Sequence, residues 1–444
     1  MNLKAMLNRL SNKRNPVGGF KGSVNFKRYA SNSMWMLAEQ GLRIVAGVFV
    51  GIYIARYLGP EQFGILSYVL AISAFVMVFS RLGMDAVLVR ELVNQHDQRN
   101  KVLGTAFWMM LATGLVCFLM TLSIVWSTSE SLQLKIFISI CAASGIFTSF
   151  LAIDYFFQSQ VKAKYSSICK FLALLSMSIV KLALVFMEAE LFWFVVAALM
   201  DHVVLAAIFL AAVLSRFDLG FLSKFDWNTA KEMLKSCWPM VLSSLAILLY
   251  MRIDQVMIKN MLDLEQVGLY SAAVKIYESW IVFPVVLTVS LLPAITKLKA
   301  TDPQTYQQRL TQIFRLVHWL SILAALSATI VAEPVMVFAF GEAYRASADV
   351  ISIVMWTSVF AAMGSVSARY FNVEKMEKKM AARTFVAALS NILLNFLLIP
   401  KYGIYGAAIA TFCCTFLANY VMDWFDKELS VLLQIKHRAM FSFK

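Results

Sequence analysis

Ala55-Arg-Tyr-Leu-Gly-Pro-Glu-Gln-Phe-Gly64 closes one apolar run and opens another. The run before it carries Glu39 and Arg43, and Gly59-Pro60 cannot continue a helix, so the two runs must be antiparallel neighbours joined by a tight turn. The stretch recurs. Laying Ile54 to Ser67 on Ile258 to Ser271, a shift of 204 residues, gives identity at six of fourteen positions, including Leu58/Leu262, Glu61/Glu265, Gln62/Gln266 and Gly64/Gly268. Internal repetition fixes architecture before any other signal. In membrane transporters two related halves bracket a binding site near the middle of the bilayer.

Composition agrees with a membrane setting. Hydrophobic residues make up 60% of the 444 and charged residues 15%, with a mean hydropathy of +0.71; a soluble domain would be about 45 to 50% apolar. A spanning helix needs about 20 apolar residues. Twelve such segments are predicted, near 32–55, 63–82, 103–126, 134–157, 166–187, 191–214, 236–258, 268–293, 316–340, 350–371, 384–400 and 404–424. The expected fold is an all-α polytopic membrane protein. Six helices precede the polar, basic connection 215–235 and six follow it, giving an N-lobe over 32–214 and a C-lobe over 236–424. Because six is even, the two copies share an orientation and are related by an axis along the membrane normal.

Positively charged short loops stay on the cytoplasmic side. Placing the amino terminus there puts 30 of the 40 Lys and Arg inside, five outside and five within helices. Both termini are therefore expected in the cytoplasm, with a basic leader over 1–31 and a tail over 425–444. The leader has no apolar core ending in a cleavage site, so it does not read as a signal peptide, and Met1 to Leu10 could lie on the membrane as a basic amphipathic turn. The net charge of +14 is this topological signal plus attraction to anionic headgroups, and nucleic acid is not an expected partner. Six cysteines fall in apolar segments without metal-ligand spacing.

Function must lie inside the bundle, because the predicted outer loops are each under about ten residues, too short to fold as a catalytic domain. No Gly-rich phosphate loop, His-Glu-x-x-His or nucleophile elbow is present, so no enzymatic activity, metal or cofactor is expected. Buried charge is the remaining signal, since a charge at the bilayer centre costs roughly 2.5 to 3.5 kcal/mol. Glu39 and Arg43 share a face of helix one, and Lys275 and Glu278 share a face of helix eight; each pair either neutralises itself or lines a wet cavity. Arg252 stands two residues from Asp254, on the opposite side of helix seven. It falls on a stripe with Ser244, Gln255 and Lys259 that would face something other than lipid. Asp154 and Lys170 are expected to snorkel near helix ends, while Lys181, Asp201, His202 and His318 are candidate ion or proton sites. Gly47 and Gly51 form a Gly-x-x-x-Gly that would permit close helix approach. Pro239, Pro284, Pro293 and Pro334 have no counterparts within first-lobe helices.

The runs Ala55 to Tyr68, Arg81-Leu-Gly-Met-Asp-Ala-Val-Leu-Val-Arg-Glu-Leu92 and Tyr402-Gly-Ile-Tyr-Gly-Ala-Ala-Ile-Ala-Thr411 resemble bacterial polysaccharide transporters of the O-antigen flippase type, in the multidrug/oligosaccharidyl-lipid/polysaccharide exporter superfamily. The resemblance implies a MATE-like V of two six-helix lobes and alternating access. It implies movement of an undecaprenyl-pyrophosphate-linked oligosaccharide from the inner to the outer leaflet of the bacterial inner membrane. Helices one, two, seven and eight would line the cavity, with Arg43, Arg252 and Lys275 as pyrophosphate or acidic-sugar contacts, Gln255 beside them, and Glu39, Asp254 and Glu278 tuning them. Membrane lipids and the polysaccharide polymerase machinery are its further expected partners. The rival within the superfamily is a multidrug cation antiporter, whose cavity should be net acidic.

Overall fold

The computed structural model describes residues 24–215 and 219–441, and within them it holds helices and no strand. The expected amphipathic turn at Met1 to Leu10 lies outside the described residues. In the N-half the helices are α1 (Val24–Arg81), α2 (Met84–Asn94), α3 (Arg99–Ser127), α4 (Leu132–Ala142), α5 (Ser144–Phe147), α6 (Leu151–Ser159), α7 (Ala163–Phe186) and α8 (Leu191–Leu214). The C-half has α9 (Trp227–Met261), α10 (Leu264–Thr301), α11 (Pro303–Phe340), α12 (Ser347–Glu374), α13 (Glu377–Phe416), α14 (Met422–Phe425) and α15 (Ser430–Phe441).

Among the described residues, ten helical stretches are long and apolar enough to cross a membrane. Two of them, Glu39–Asn94 and Glu377–Phe425, are 56 and 49 residues long. At about 1.5 Å per residue each far exceeds a hydrocarbon core of about 30 Å, so each must fold back. Glycine makes the bend in both. Gly59 has φ 72° and ψ 172°, and Gly403 has φ 58° and ψ −140°, backbone states that a side chain disfavours. Pro60 follows the first break, where a first-turn proline loses no hydrogen bond. The count of twelve thus depends on reading each kinked stretch as two passes.

The two halves share a core at one end and separate at the other. At the joined end, one apolar cluster takes Ile54, Leu58, Phe63 and Val69 from the N-half together with Ile258, Val267, Tyr270, Tyr344 and Ile399 from the C-half. Tyr344 donates to the Ala55 carbonyl at 2.7 Å, Arg56 to the Phe338 carbonyl at 3.1 Å, and Lys259 pairs with Glu130. The repeated motif is itself the seam. A methyl group on Gly64 would strike the Leu264 carbonyl, and one on Gly268 would strike the Pro60 carbonyl; 60 and 264, like 64 and 268, are 204 apart. Copy touches copy reciprocally, as in a two-fold contact.

At the split end each half has its own core. One is built around Met84, Leu88, Phe107 and Phe157, the other around Phe314, Met363, Phe371 and Leu432. Met233 and Cys237 of α9 belong to the N-half cluster, so the start of α9 packs on the N-half before the helix runs on into the C-half. Asp226 caps α9, accepting from the Thr229 backbone at 2.7 Å, and also meets Lys101 at 3.1 Å. Hydrogen bonds from Thr229, then from Lys101, hold its carboxyl down at about 2.

Two segments depart from the expected pattern. The fourth predicted helix is broken: α4, α5, a 3-10 turn at Thr148–Phe150 and α6 replace one rod. Ser73 of α1 ties the break, bonding the Cys141 carbonyl and the Ser144 hydroxyl, both at 2.9 Å. The expected tail is not free either, because α15 packs into the C-half core and buries Lys436 completely.

Candidate functional site

The inner arm of α1 sets Glu39, Arg43, Gly47 and Gly51 four residues apart, hence along one stripe. All four line a cavity of about 550 Å³ in the N-half, closed by α5 to α8 and by Lys275 of α10. Five cations face it (Arg43, Arg81, Lys170, Lys181, Lys275) against three acids (Glu39, Asp154, Asp201). The difference is +2.

Pairing inside the cavity is uneven. Asp154, 3% exposed, accepts from Lys170 at 2.6 Å and from the Ser166 hydroxyl. The expectation that Asp154 and Lys170 snorkel is therefore corrected: a buried carboxylate holds the lysine inward, since a charge taken from water needs a partner. Lys181 and Asp201 also pair. Glu39, 10% exposed, reaches Arg43 at 3.6 Å, yet the Arg43 side chain is 59% exposed, and ion pairs four apart on a helix contribute only about 0.3 to 0.5 kcal/mol. Arg43 keeps its donors available. Lys275 and Arg81 have no ion pair with any described residue, and Arg81 Nε is buried without an acceptor.

Gly51 explains the reach of Lys275. A methyl group there would collide with Lys275 Cε and Nζ, so the missing side chain is the passage through which the lysine crosses from the C-half. This corrects the Gly-x-x-x-Gly expectation of close backbone packing; Gly47 has nothing within 4 Å of where its Cβ would stand.

The remaining candidates lie elsewhere. Arg252 pairs with Glu278 at 3.0 Å, and not with Asp254 of its own helix. Its partner comes from α10, which helix periodicity within α9 cannot reveal. Lys275 and Glu278 share a face of α10, yet Lys275 lines the first cavity while Glu278 lines another. Asp254 and Glu278 line a second cavity of about 350 Å³ in the C-half, with Tyr250, Tyr270, Tyr277 and Arg383. Asp254 is occupied by the Tyr270 hydroxyl and by the Gln255 backbone at 2.9 Å. Gln255 is 3% exposed and borders neither cavity, so the polar stripe expected along α9 dissolves into separate contacts. One expected cavity is two: Glu39, Arg43 and Lys275 line the first, Asp254 and Glu278 the second, and Arg252 and Gln255 line neither.

Three comparisons bear on this arrangement. The family model described as "Polysaccharide biosynthesis protein" matches residues 29–299, more than half the chain. This chain belongs to that polysaccharide biosynthesis family. A protein of Shigella flexneri named "Putative O-antigen transporter" is 21% identical over 413 residues, covering 88% of this chain and 96% of that one. Among solved structures, the lipid II flippase MurJ in an inward closed conformation superposes with a TM-score of 0.71 at 14% identity, covering 90% of each chain. An inward-facing multidrug resistance MATE family transporter of the MOP superfamily superposes at 0.73 and 13% identity, covering 88% of this chain and 96% of that one. The family member described here thus has the MATE-like fold of a multi-pass membrane transporter.

Arg81 is the cavity residue that sequence reasoning passed over. Its signal was present: it ends α1 beside Leu82-Gly83, in a run quoted above only for family resemblance, where a cation reads as a loop residue.

Proposed function

We propose that the protein flips an undecaprenyl-pyrophosphate-linked oligosaccharide, an O-antigen unit or a related repeat, from the inner to the outer leaflet of the bacterial cytoplasmic membrane by alternating access. The observation that carries this reading is the N-half cavity with its +2 difference and two cations, Lys275 and Arg81, unmatched by any acid. A pyrophosphate supplies the missing negative charge, and Arg and Lys bind phosphate by charge-assisted hydrogen bonds. Family membership and the likeness to an O-antigen transporter and a lipid II flippase support the same substrate class.

The geometry also suits loading from the cytoplasm. The halves separate at the end that carries most basic loops, which by the positive-inside rule faces the cytoplasm, and the shared core shuts the other end. An inside-negative potential favours outward movement of an anion by about 2.3 kcal/mol per charge per 100 mV. Export of a cationic drug is less well supported, because a net cationic cavity repels it. The test is a reconstituted system: proteoliposomes loaded with a fluorescent undecaprenyl-pyrophosphate oligosaccharide, scored by accessibility to an external quencher. Protein-dependent translocation is expected. Translocation of a lipophilic cation in place of the glycolipid would overturn the proposal.

A further inference from the structure

The C-half cavity has a charge arrangement unlike that of the N-half and holds a buried cluster the transport reading does not use. Arg383 of α13, 6% exposed, lines it. Its Nη2 is taken by Asp423, its plane lies over Phe371 at 4.5 Å, and its Nη1 is buried with no acceptor. Lys436 of α15 reaches the same Asp423 at 2.6 Å and the Asn419 carbonyl at 2.6 Å. Asp426 nearby is held by Lys379 at 2.6 Å. Two cations therefore share one carboxylate away from water, leaving one positive charge unmatched. Isolated buried charge is costly. The backbone is arranged around this point too: Leu417–Val421 forms a π-helical turn, a feature that often marks functional sites, and Ala418 and Asn419 within it line the cavity.

Val274, Ile281, Val354 and Phe371 make much of the remaining wall apolar, with Tyr250, Tyr277, Ser367, Thr384 and Thr411 as polar points in it. Ile247, Met251 and Met380 line the cavity while remaining 46%, 44% and 37% exposed, so its mouth is rimmed by hydrophobic side chains. The acids Asp254 and Glu278 border it as well, and they would repel an anion from their own neighbourhood.

We propose that this cavity binds a phosphate-bearing lipid, with the phosphate on Arg383 and the hydrocarbon chain along the apolar wall. A guanidinium fork matches phosphate geometry, an anion cancels the surplus charge, and the volume lies within the range of small-molecule sites, about 300 to 1,000 Å³. The proposal is independent of what the N-half cavity transports. Two sources share the chemistry, the isoprenoid phosphate carrier and a bulk anionic phospholipid.

The test is a thermal-shift titration of the detergent-purified full chain with undecaprenyl phosphate, phosphatidylglycerol, farnesol and inorganic phosphate. The protein is expected to be stabilised by one or both lipid phosphates and hardly by farnesol or inorganic phosphate. A response to undecaprenyl phosphate alone identifies the carrier, and a response to phosphatidylglycerol alone identifies a membrane lipid. Arg383→Gln should shift half-saturation at least about tenfold, as loss of a charge-assisted contact implies. Ala368→Phe, which fills the cavity and leaves Arg383 in place, should do the same and decides the matter if Arg383→Gln fails to fold. The proposal is overturned by no response to either lipid phosphate, by an equal response to farnesol or inorganic phosphate, or by an undiminished response in Ala368→Phe.

Discussion

The cavities of the two halves differ more than the helices that build them. In the N-half, five cations meet three acids and two cations are left unmatched. The C-half cavity is walled by tyrosines and aliphatic side chains, its acids already engaged by Arg252, Tyr270 and backbone. A repeat that preserves Leu58/Leu262 and Gly64/Gly268 at the seam has thus not preserved the chemistry inside. Packing at the joined end constrains residues against each other, whereas a residue facing a water-filled cavity answers to what enters it.

The sharpest way to break this contrast is to remove a cation on each side. Lys275→Ala should lower glycolipid flipping about 10- to 100-fold, the value of one lost charge-assisted bond of about 1.5 to 3 kcal/mol, with membrane insertion unchanged. Equal loss from substitutions in both halves would end the distinction. Gly51→Val tests the same lysine without touching its charge. The added side chain blocks the passage and should reduce flipping nearly as much, while Gly47→Ala, with open space around it, should behave as wild type in the same proteoliposomes.

On the other side, Arg252→Ala should reduce flipping no more than about fivefold, because its pair with Glu278 is 30% exposed at both ends and such pairs contribute about 0.2 to 1 kcal/mol. Adding Glu278→Gln should restore activity by removing the acid left without a partner. A loss as deep as that of Lys275→Ala, unrelieved by the second change, would return Arg252 to the binding site. The smallest effect concerns the link between halves. Asp226→Asn keeps an oxygen that can cap α9 but loses the charge that strengthens the cap and meets Lys101, so its melting temperature should fall slightly at neutral pH. Since folding lowers the Asp226 carboxyl from an ordinary value near 4 to about 2, its stabilisation is complete above about pH 4. It fades as pH falls through 2, and the two melting curves should converge over that window.

Much of the fold was legible because lipid imposes a coarse rule: apolar runs must be long, and their breaks need glycine or proline. Gly59-Pro60 announced the fold-back and the repeat at 258–271 announced a second half, but that the two copies of the motif touch appeared only in the structure. The broken fourth helix was not legible, since Ser73 and Ser144 come together only through packing. The site was half legible. Glu39, Arg43 and Lys275 could be picked because a charge in an apolar run is conspicuous. Which charges neutralise one another depends on neighbouring helices, so the partners of Arg252, Lys170 and Lys181 could not be read along their own helices. Lys436 was assigned to a tail for the same reason: the α15 sequence is short and mixed, and its lysine is buried only because Asp423 waits in the C-half.

The reciprocal contact of Gly64 with Leu264 and of Gly268 with Pro60 has a consequence for ancestry. A protein half this long carrying the motif once would offer the same surface to a second copy of itself, and the seam would be the interface of a homodimer. Joining two such copies through residues 215–226 leaves that interface in place. It frees each copy to vary inside, so the two chambers can carry different charges while the joint between them stays the same.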